Sequence, residues 1–394
     1  MRRRDLLATL GAASAGLAGC LRLDGAVLAG GCPSYEPVRP SDADWTSRMG
    51  NPAGTAAVAP DAAPGTDLTL DWAVPIETSV GYPVPAVADG TVYVHDMDTT
   101  LVALDAGSGD ERWRAAVADP LWTPALGDGT VVVRTRSEVE AFDAGTGDRR
   151  WGALGGLEEW TDARPVVADG AVFVMADVAA YAFDLAAGDR RWRFPTGLRS
   201  ESTPAVADGT VYVAGDEAYV RALATADGSE RWRAKTDARV RCNLSVADGL
   251  VCAATEAGDV LGFDADGGTE QWRHRLPDAR NSDRPGRPRT VNTDGARVYV
   301  TTRDRLYALD AATGSRCWRT TEYQRGYASG VAVADGAVYA PTEHPDDPFT
   351  SYDAATGDVR RRVRPAEDPY FSVGPSLAEG ALYAAGDGAV GRYR

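Results

Sequence analysis

"DAGTGDRRWG", residues 143–152, sets small residues and a Thr-Gly pair ahead of two arginines and a tryptophan. The phrase returns as "DAGSGDERWR" from Asp105, "DLAAGDRRWR" from Asp184 and "ATADGSERWR" from Ala224. It continues as "DADGGTEQWR" from Asp264, "DAATGSRCWR" from Asp310 and "DAATGDVRRR" from Asp353. A catalytic motif is written once in a chain. Near-copies repeated at intervals are architecture, and a repeat settles the fold before any other reading.

A second phrase alternates with the first. "PAVADGTVYV" from Pro85 has related copies from Pro124, Pro165, Pro204, Leu244, Thr290, Val331 and Pro375. Each places an Asp-Gly or Glu-Gly pair between alternating apolar runs, the hairpin signal for a turn that needs positive φ. A third strand, such as "TLVALDA" at 100–106, joins the two phrases. The unit is therefore strand A, Asp-Gly turn, strand B, hairpin, strand C, Thr-Gly turn and strand D with its tryptophan. Trp72, Trp113, Trp151, Trp192, Trp232, Trp272 and Trp318 are spaced by 41, 38, 41, 40, 40 and 46 residues. Four strands in a repeat of that length predict a blade of an all-β propeller. No helix-period segment intervenes, which excludes a βαβ array.

The last strand C is "GAVGRYR" at 388–394, with no strand D behind it, while "DLTLDWAV" at 67–74 carries Trp72 with no strands A–C before it. The reading is an eight-bladed propeller whose ring is closed by an N-terminal strand, which hides edges that would otherwise pair with neighbours. Residues 1–19 read as a signal peptide, 20–65 as linker and leader, and 66–394 as propeller.

The pattern A-x-D-x-x-T-G-x-x-x-W resembles the tryptophan-docking repeat of the pyrroloquinoline-quinone (PQQ)-type propellers. Asp44-Trp45 followed by "RMGNPAGT" at 48–55 is similar to the leader ahead of such propellers. The non-enzymatic, eight-bladed form of the family is the BamB-like lipoprotein, an assembly scaffold. The resemblance implies that the seven tryptophans named above pack between neighbouring blades, against the small residues of the docking phrase. Arg361 stands at the tryptophan position of the copy from Asp353, so that blade contact is expected to be the weakest, and Arg361→Trp to restore it.

The chain of 394 residues carries a formal charge of −16, and Lys235 is its one lysine among 41 basic residues. This acidic, lysine-poor composition resembles proteins of halophilic archaea, whose cells lack a bacterial outer membrane. The net charge argues against nucleic acid as a partner. Arg3-Arg4 with Asp5-Leu6-Leu7 resembles a twin-arginine export signal, followed by an apolar run too short to span a bilayer. Leu17-Ala18-Gly19-Cys20 reads as a lipobox with Cys20 as the lipidation site, and Leu28 to Cys32 as a weaker second cleavage site. The expected location is the outer face of the cytoplasmic membrane. Cys32, Cys242, Cys252 and Cys317 are expected to be buried free thiols, and no C-x-x-C is present.

PQQ-dependent dehydrogenases share the blade repeat, and the resemblance implies for them an adjacent cysteine pair, a tryptophan platform and Ca²⁺ on carboxylate and amide oxygens. This sequence has no Cys-Cys. Neither PQQ nor Ca²⁺ is expected, nor any catalytic residue. His95, His274 and His344 come from different blades and compose no triad. "TEHPDDP" at 342–348 reads as a solvated loop in preference to a metal site, and Asn243-Leu244-Ser245 as a strand in preference to a glycosylation site.

The Asp-Gly acids serve turn geometry and are expected to rim one face. The opposite face, built from D–A and B–C loops, is where repeat proteins keep specificity. Trp122 and Trp160 lie there beyond the docking set, and Arg164, Asn243 and Arg289 share one step before strand A beside the channel. These five residues are the candidate partner or ligand face. The sequence therefore predicts a monomeric, exported, lipid-anchored propeller that binds protein partners, with a quinoprotein-like dehydrogenase or small-ligand sensor as the alternative.

Overall fold

The computed structural model describes residues 32–36, 44–47, 49–65, 68–76, 84–96, 99–117, 119–155, 163–197, 199–277, 286–303, 305–320, 330–342, 349–363, 373–386 and 388–394. Their strands form eight four-stranded antiparallel sheets, each ordered A-B-C-D. The Asp-Gly signal holds residue by residue. Asp128 (φ 45°) and Gly129 (φ 65°) are both left-handed, as are the pairs at 89, 169, 208, 248, 335 and 379. That backbone matches the twist of the flanking strands A and B.

The stretch at 143–152 is the other turn. The Asp143 carboxylate takes the N–H groups of Gly145 and Thr146 at 2.9 Å each and the Arg150 guanidinium at 2.7 Å. Asp105 repeats this with Gly107, Ser108 and Arg112. Arg150 holds the Asp143 carboxyl down to about 2, as Arg112 does for Asp105. Gly147 (φ 76°) lies against the preceding blade's tryptophan, and a Cβ there would stand 2.6 Å from the Trp113 ring. The Trp113 indole N–H donates to the Ala144 carbonyl at 2.9 Å. The same bond runs from Trp72 to Ala106, Trp151 to Leu185, Trp192 to Thr225, Trp232 to Ala265, Trp272 to Ala311 and Trp318 to Ala354. All seven therefore dock blade to blade.

The ring closes through Leu70–Pro75, which pairs antiparallel with Ala389–Tyr393 and supplies strand D of blade 8. Asp71 meets the buried Arg392 guanidinium at 2.8 Å across the closure. This explains Arg361. Strands C and D of blade 8 come from distant parts of the chain, so no Thr-Gly hairpin joins them. A tryptophan at 361 has no docking turn to meet, and the expected rescue by Arg361→Trp is withdrawn on that ground.

Residues 44–47 and 49–58 of the leader run within the channel along the inner strands A, which would otherwise face the axis with unpaired backbone groups. Trp45 exchanges both backbone hydrogen bonds with Val87 of blade 1 at 2.8 Å. The carbonyls of Thr46, Pro52 and Ala53 accept from Leu126, Val206 and Val246 of blades 2, 4 and 5. Asn292 of blade 6 donates to the Gly54 carbonyl at 2.9 Å, and Ala56 and Val58 bond Val333 of blade 7. Trp45 is 1% exposed and Ala56 0%.

Blade 6 departs from the repeat, and here an expectation fails. Cys32 and Cys317 form a disulfide, whereas Cys242 and Cys252 are buried and free. Burial pushes the Cys242 thiol up to about 12. Position 317 lies seven residues after Asp310, where blades 1, 2, 3 and 7 place the turn arginine. In blade 6 the arginine comes instead from the start of strand B: Arg297, 2% exposed, meets Asp310 at 3.3 Å. Position 317 is thereby freed for cysteine. The Asp-Gly turn also differs, since Asp294 is buried and accepts the hydroxyls of Tyr35 at 2.7 Å and Tyr299 at 2.9 Å. It is not a rim acid. Burial raises both tyrosine pKa values above the ordinary range, so both remain donors.

Candidate functional site

The D–A and B–C connections share the face opposite the Asp-Gly turns. Trp122 stands there, within a strand and not in a loop: strand A of blade 2 extends over Pro120–Gly127, with a register shift between Leu121 and Ala125. Its backbone is left-handed at φ 65°, a conformation rare for a bulky residue and held only where the surroundings fix it. What holds it is His95, 5% exposed at the end of strand B of blade 1, whose Nε2–H donates to the Trp122 carbonyl. Burial lowers the pKa of His95.

Arg164 of blade 3 lays its guanidinium over the Trp122 ring, 4.6 Å from the centroid. Both side chains are half-buried. The backbone N–H of Arg164 reaches the Thr203 hydroxyl at 3.4 Å. Asn243 plays a bridging part: it is buried, donates to the Val291 carbonyl at 2.5 Å and accepts the Val291 N–H at 3.2 Å. The step before strand A thus ties blade 3 to 4 and blade 5 to 6, a role the sequence alignment of copies did not reveal. Arg289 is exposed, and its N–H donates to the Thr301 carbonyl at 2.7 Å. Arg164, Thr203 and Asn243 line a cavity of about 10 Å³ with Ser47, Met49 and Asn51 of the leader. Trp160 and Cys20 lie outside the described residues.

Further round this face the charges neutralise one another. Arg241 lies 3.0 Å from Glu201, 3.4 Å from Glu256 and 3.9 Å from Asp216, with Arg239 and Arg287 attached at 3.5 and 3.9 Å. This network across the mouths of blades 4 to 6 was not read from the sequence, because its members occupy irregular loops. Among the described residues no three His, Cys, Asp or Glu side chains are placed to hold a metal ion. No helix among them is long and apolar enough to cross a membrane.

The model of the outer membrane protein assembly factor BamB family matches residues 54–198, 176–288 and 258–390. The chain belongs to the BamB family. BamB from Moraxella catarrhalis superposes with a TM-score of 0.67 at 19% identity, over 83% of this chain and 98% of that one. The quinohemoprotein alcohol dehydrogenase from Comamonas testosteroni gives 0.72 at 16% identity, over 89% and 80%. A europium-containing methanol dehydrogenase gives 0.66 at 15%, over 87% and 89%. At these identities the likeness is one of fold, shared alike by BamB and the dehydrogenases. No curated protein is similar to this chain in sequence.

Proposed function

We propose that this BamB-family chain is an exported, lipid-anchored binding scaffold whose protein partner sits on the loop face around Trp122 and Arg164. The observation that carries the reading is the leader. It lies along the inner strands of six blades, and the cavity beside it, about 10 Å³, has room for roughly one water. The leader thus runs where a quinone on the axis would sit, and the sequence holds no adjacent cysteine pair to lie under one, which supports the scaffold reading.

The loop face offers what protein interfaces use instead. A rigid indole capped by a guanidinium is the composition of interface hot spots, and its backbone is fixed in advance by His95. Cys20 serves as the anchor, because the alternative lipobox cysteine, Cys32, has its thiol committed to Cys317. The dehydrogenase alternative is tested by titrating the full chain with PQQ and Ca²⁺. No stoichiometric change in the near-ultraviolet or visible spectrum and no dye-linked alcohol oxidation are expected. One-to-one quinone binding would overturn the scaffold reading.

A further inference from the structure

The sixth residue after the acid of each Asp-Gly or Glu-Gly turn lies near the loop-side end of strand B. Blades 3, 4, 5, 7 and 8 carry Met, Ala, Ala, Pro and Ala there, whereas blades 1 and 2 carry His95 and Arg134. Both are buried, at 5% and 1% exposed. His95 is answered by the next blade, since its Nε2–H donates to the Trp122 carbonyl. Arg134 is not. Its Nε–H donates to the adjoining Thr135 carbonyl at 3.2 Å, while Nη1 has no hydrogen-bond partner among the described residues. Asp177, in the B–C hairpin of blade 3, is the opposing charge that acts on it from a distance. Val132, two residues earlier on the same face of the strand, packs with Val167 and Val172 of blade 3. The guanidinium therefore lies in the junction of blades 2 and 3. The Trp122–Arg164 stack spans that same junction, and Leu121, next to Trp122, is the cross-strand partner of Arg134.

A buried guanidinium without a counter-ion is costly, and an apolar side chain such as the methionine of blade 3 fills the same place without that cost. The left-handed backbone of Trp122 is a second burden in the same junction. Burdens of this kind persist where they serve a site. We infer that the junction of blades 2 and 3 is a carboxylate pocket within the partner face, with Arg134 as its cation and the half-buried Trp122–Arg164 pair as a cap that turns aside. The inference rests on the loop face being the partner face, as proposed above. A guanidinium pairs with a carboxylate through parallel N–H···O bonds, and Nη1 of Arg134 supplies a donor for one of them. The ligand is an Asp or Glu side chain of the partner, or its C-terminal carboxylate. With a net charge of −16 the protein gains nothing from a diffuse acidic surface, so the attraction is confined to a carboxylate delivered into the junction.

The test titrates the full chain, labelled with fluorotryptophan, by fluorine NMR at constant ionic strength. The Trp122 resonance is assigned by its loss in Trp122→Phe. Acetyl-aspartyl-amide offers a side-chain carboxylate and acetyl-glycyl-glycine a C-terminal one. Acetyl-asparaginyl-amide and acetyl-glycyl-glycinamide are their uncharged counterparts. The expected result is a saturable shift of the Trp122 resonance by a carboxylate probe, with the matching amide about tenfold weaker or more. The tighter of the two carboxylates identifies the source. Arg134→Met should abolish the saturable shift and raise the denaturant midpoint, because it removes an uncompensated charge. A lowered midpoint with an unchanged titration marks Arg134 as purely structural and overturns the pocket. So does the absence of a saturable shift, equal binding of acid and amide, or inorganic phosphate binding more tightly than either carboxylate. The two readings fail separately. Carboxylate binding without any partner crosslinked to the loop face overturns the partner reading and leaves the pocket, whereas a loop-face partner without carboxylate binding overturns the pocket alone.

Discussion

Gly54→Ala is the sharpest perturbation of the channel-filling leader. Gly54 has φ 69°, and a Cβ built there would stand 2.5 Å from the Leu244 carbonyl oxygen, a backbone atom that cannot swing aside. The left-handed backbone alone costs an alanine about 1–2 kcal/mol. Relieving the clash must move the leader, and the backbone bonds to the blades next to it are those of Pro52 and Ala53 to Val206 and Val246, both 2.8 Å. Each is worth about 1 kcal/mol net, so the local penalty is about 3 kcal/mol. At about 1.4 kcal/mol per tenfold, the Val206 and Val246 amides should exchange with solvent about a hundredfold faster. Gly129→Ala is the control: its φ is 65°, but no atom lies within 4 Å of the added Cβ, so it carries the backbone strain without the clash. Unchanged exchange at Val206 and Val246, or equal acceleration by Gly129→Ala, would refute the placement of the leader.

Trp232→Ala, which removes a 9%-exposed ring and its bond to Ala265, should cost roughly 3–5 kcal/mol in denaturant unfolding. Arg361→Trp should give no gain in the same assay, since blade 8 has no docking hairpin; a gain of about 1 kcal/mol or more would revive the restored contact. Cys32→Ser should destabilise by about 2–5 kcal/mol and, in non-reducing mass analysis, remove the 32–317 link. Asp105 and Asp143 are depressed to about 2, so the stability they lend is present above the ordinary aspartate value and lost as pH falls through about 2. Carboxyl chemical shifts of both residues during acid titration check this, and titration near pH 4 would contradict it.

What the sequence made legible was everything repeated. Asp-Gly pairs, the tryptophan spacing and the split blade 8 follow from local turn chemistry and counting, whereas the bond each of the seven indoles makes to a carbonyl of the next blade does not. The misses are places where one blade breaks the rule. Cys317 in an arginine slot and Arg297 in a slot held by Thr, Ala or Leu elsewhere are a paired signal for the disulfide that neither residue carries alone. Asn243 stands at a step that varies in residue type among the copies, and its bonds to Val291 of the next blade are visible only in the structure. The leader's path is not legible in the sequence because most of its bonds to the blades are between backbone groups, which carry no side-chain periodicity.

The most direct test of the binding face is photo-crosslinking in the producing cell's own membranes. Probes at Val178 and Arg303 sample the loop face, and probes at Ala186 and Ala355 the turn face. The expected result is one discrete adduct, formed from the loop-face probes and lost when Trp122→Ala and Arg164→Ala are combined. An adduct formed only from the turn face, or one from the loop face that survives the double substitution, would contradict it.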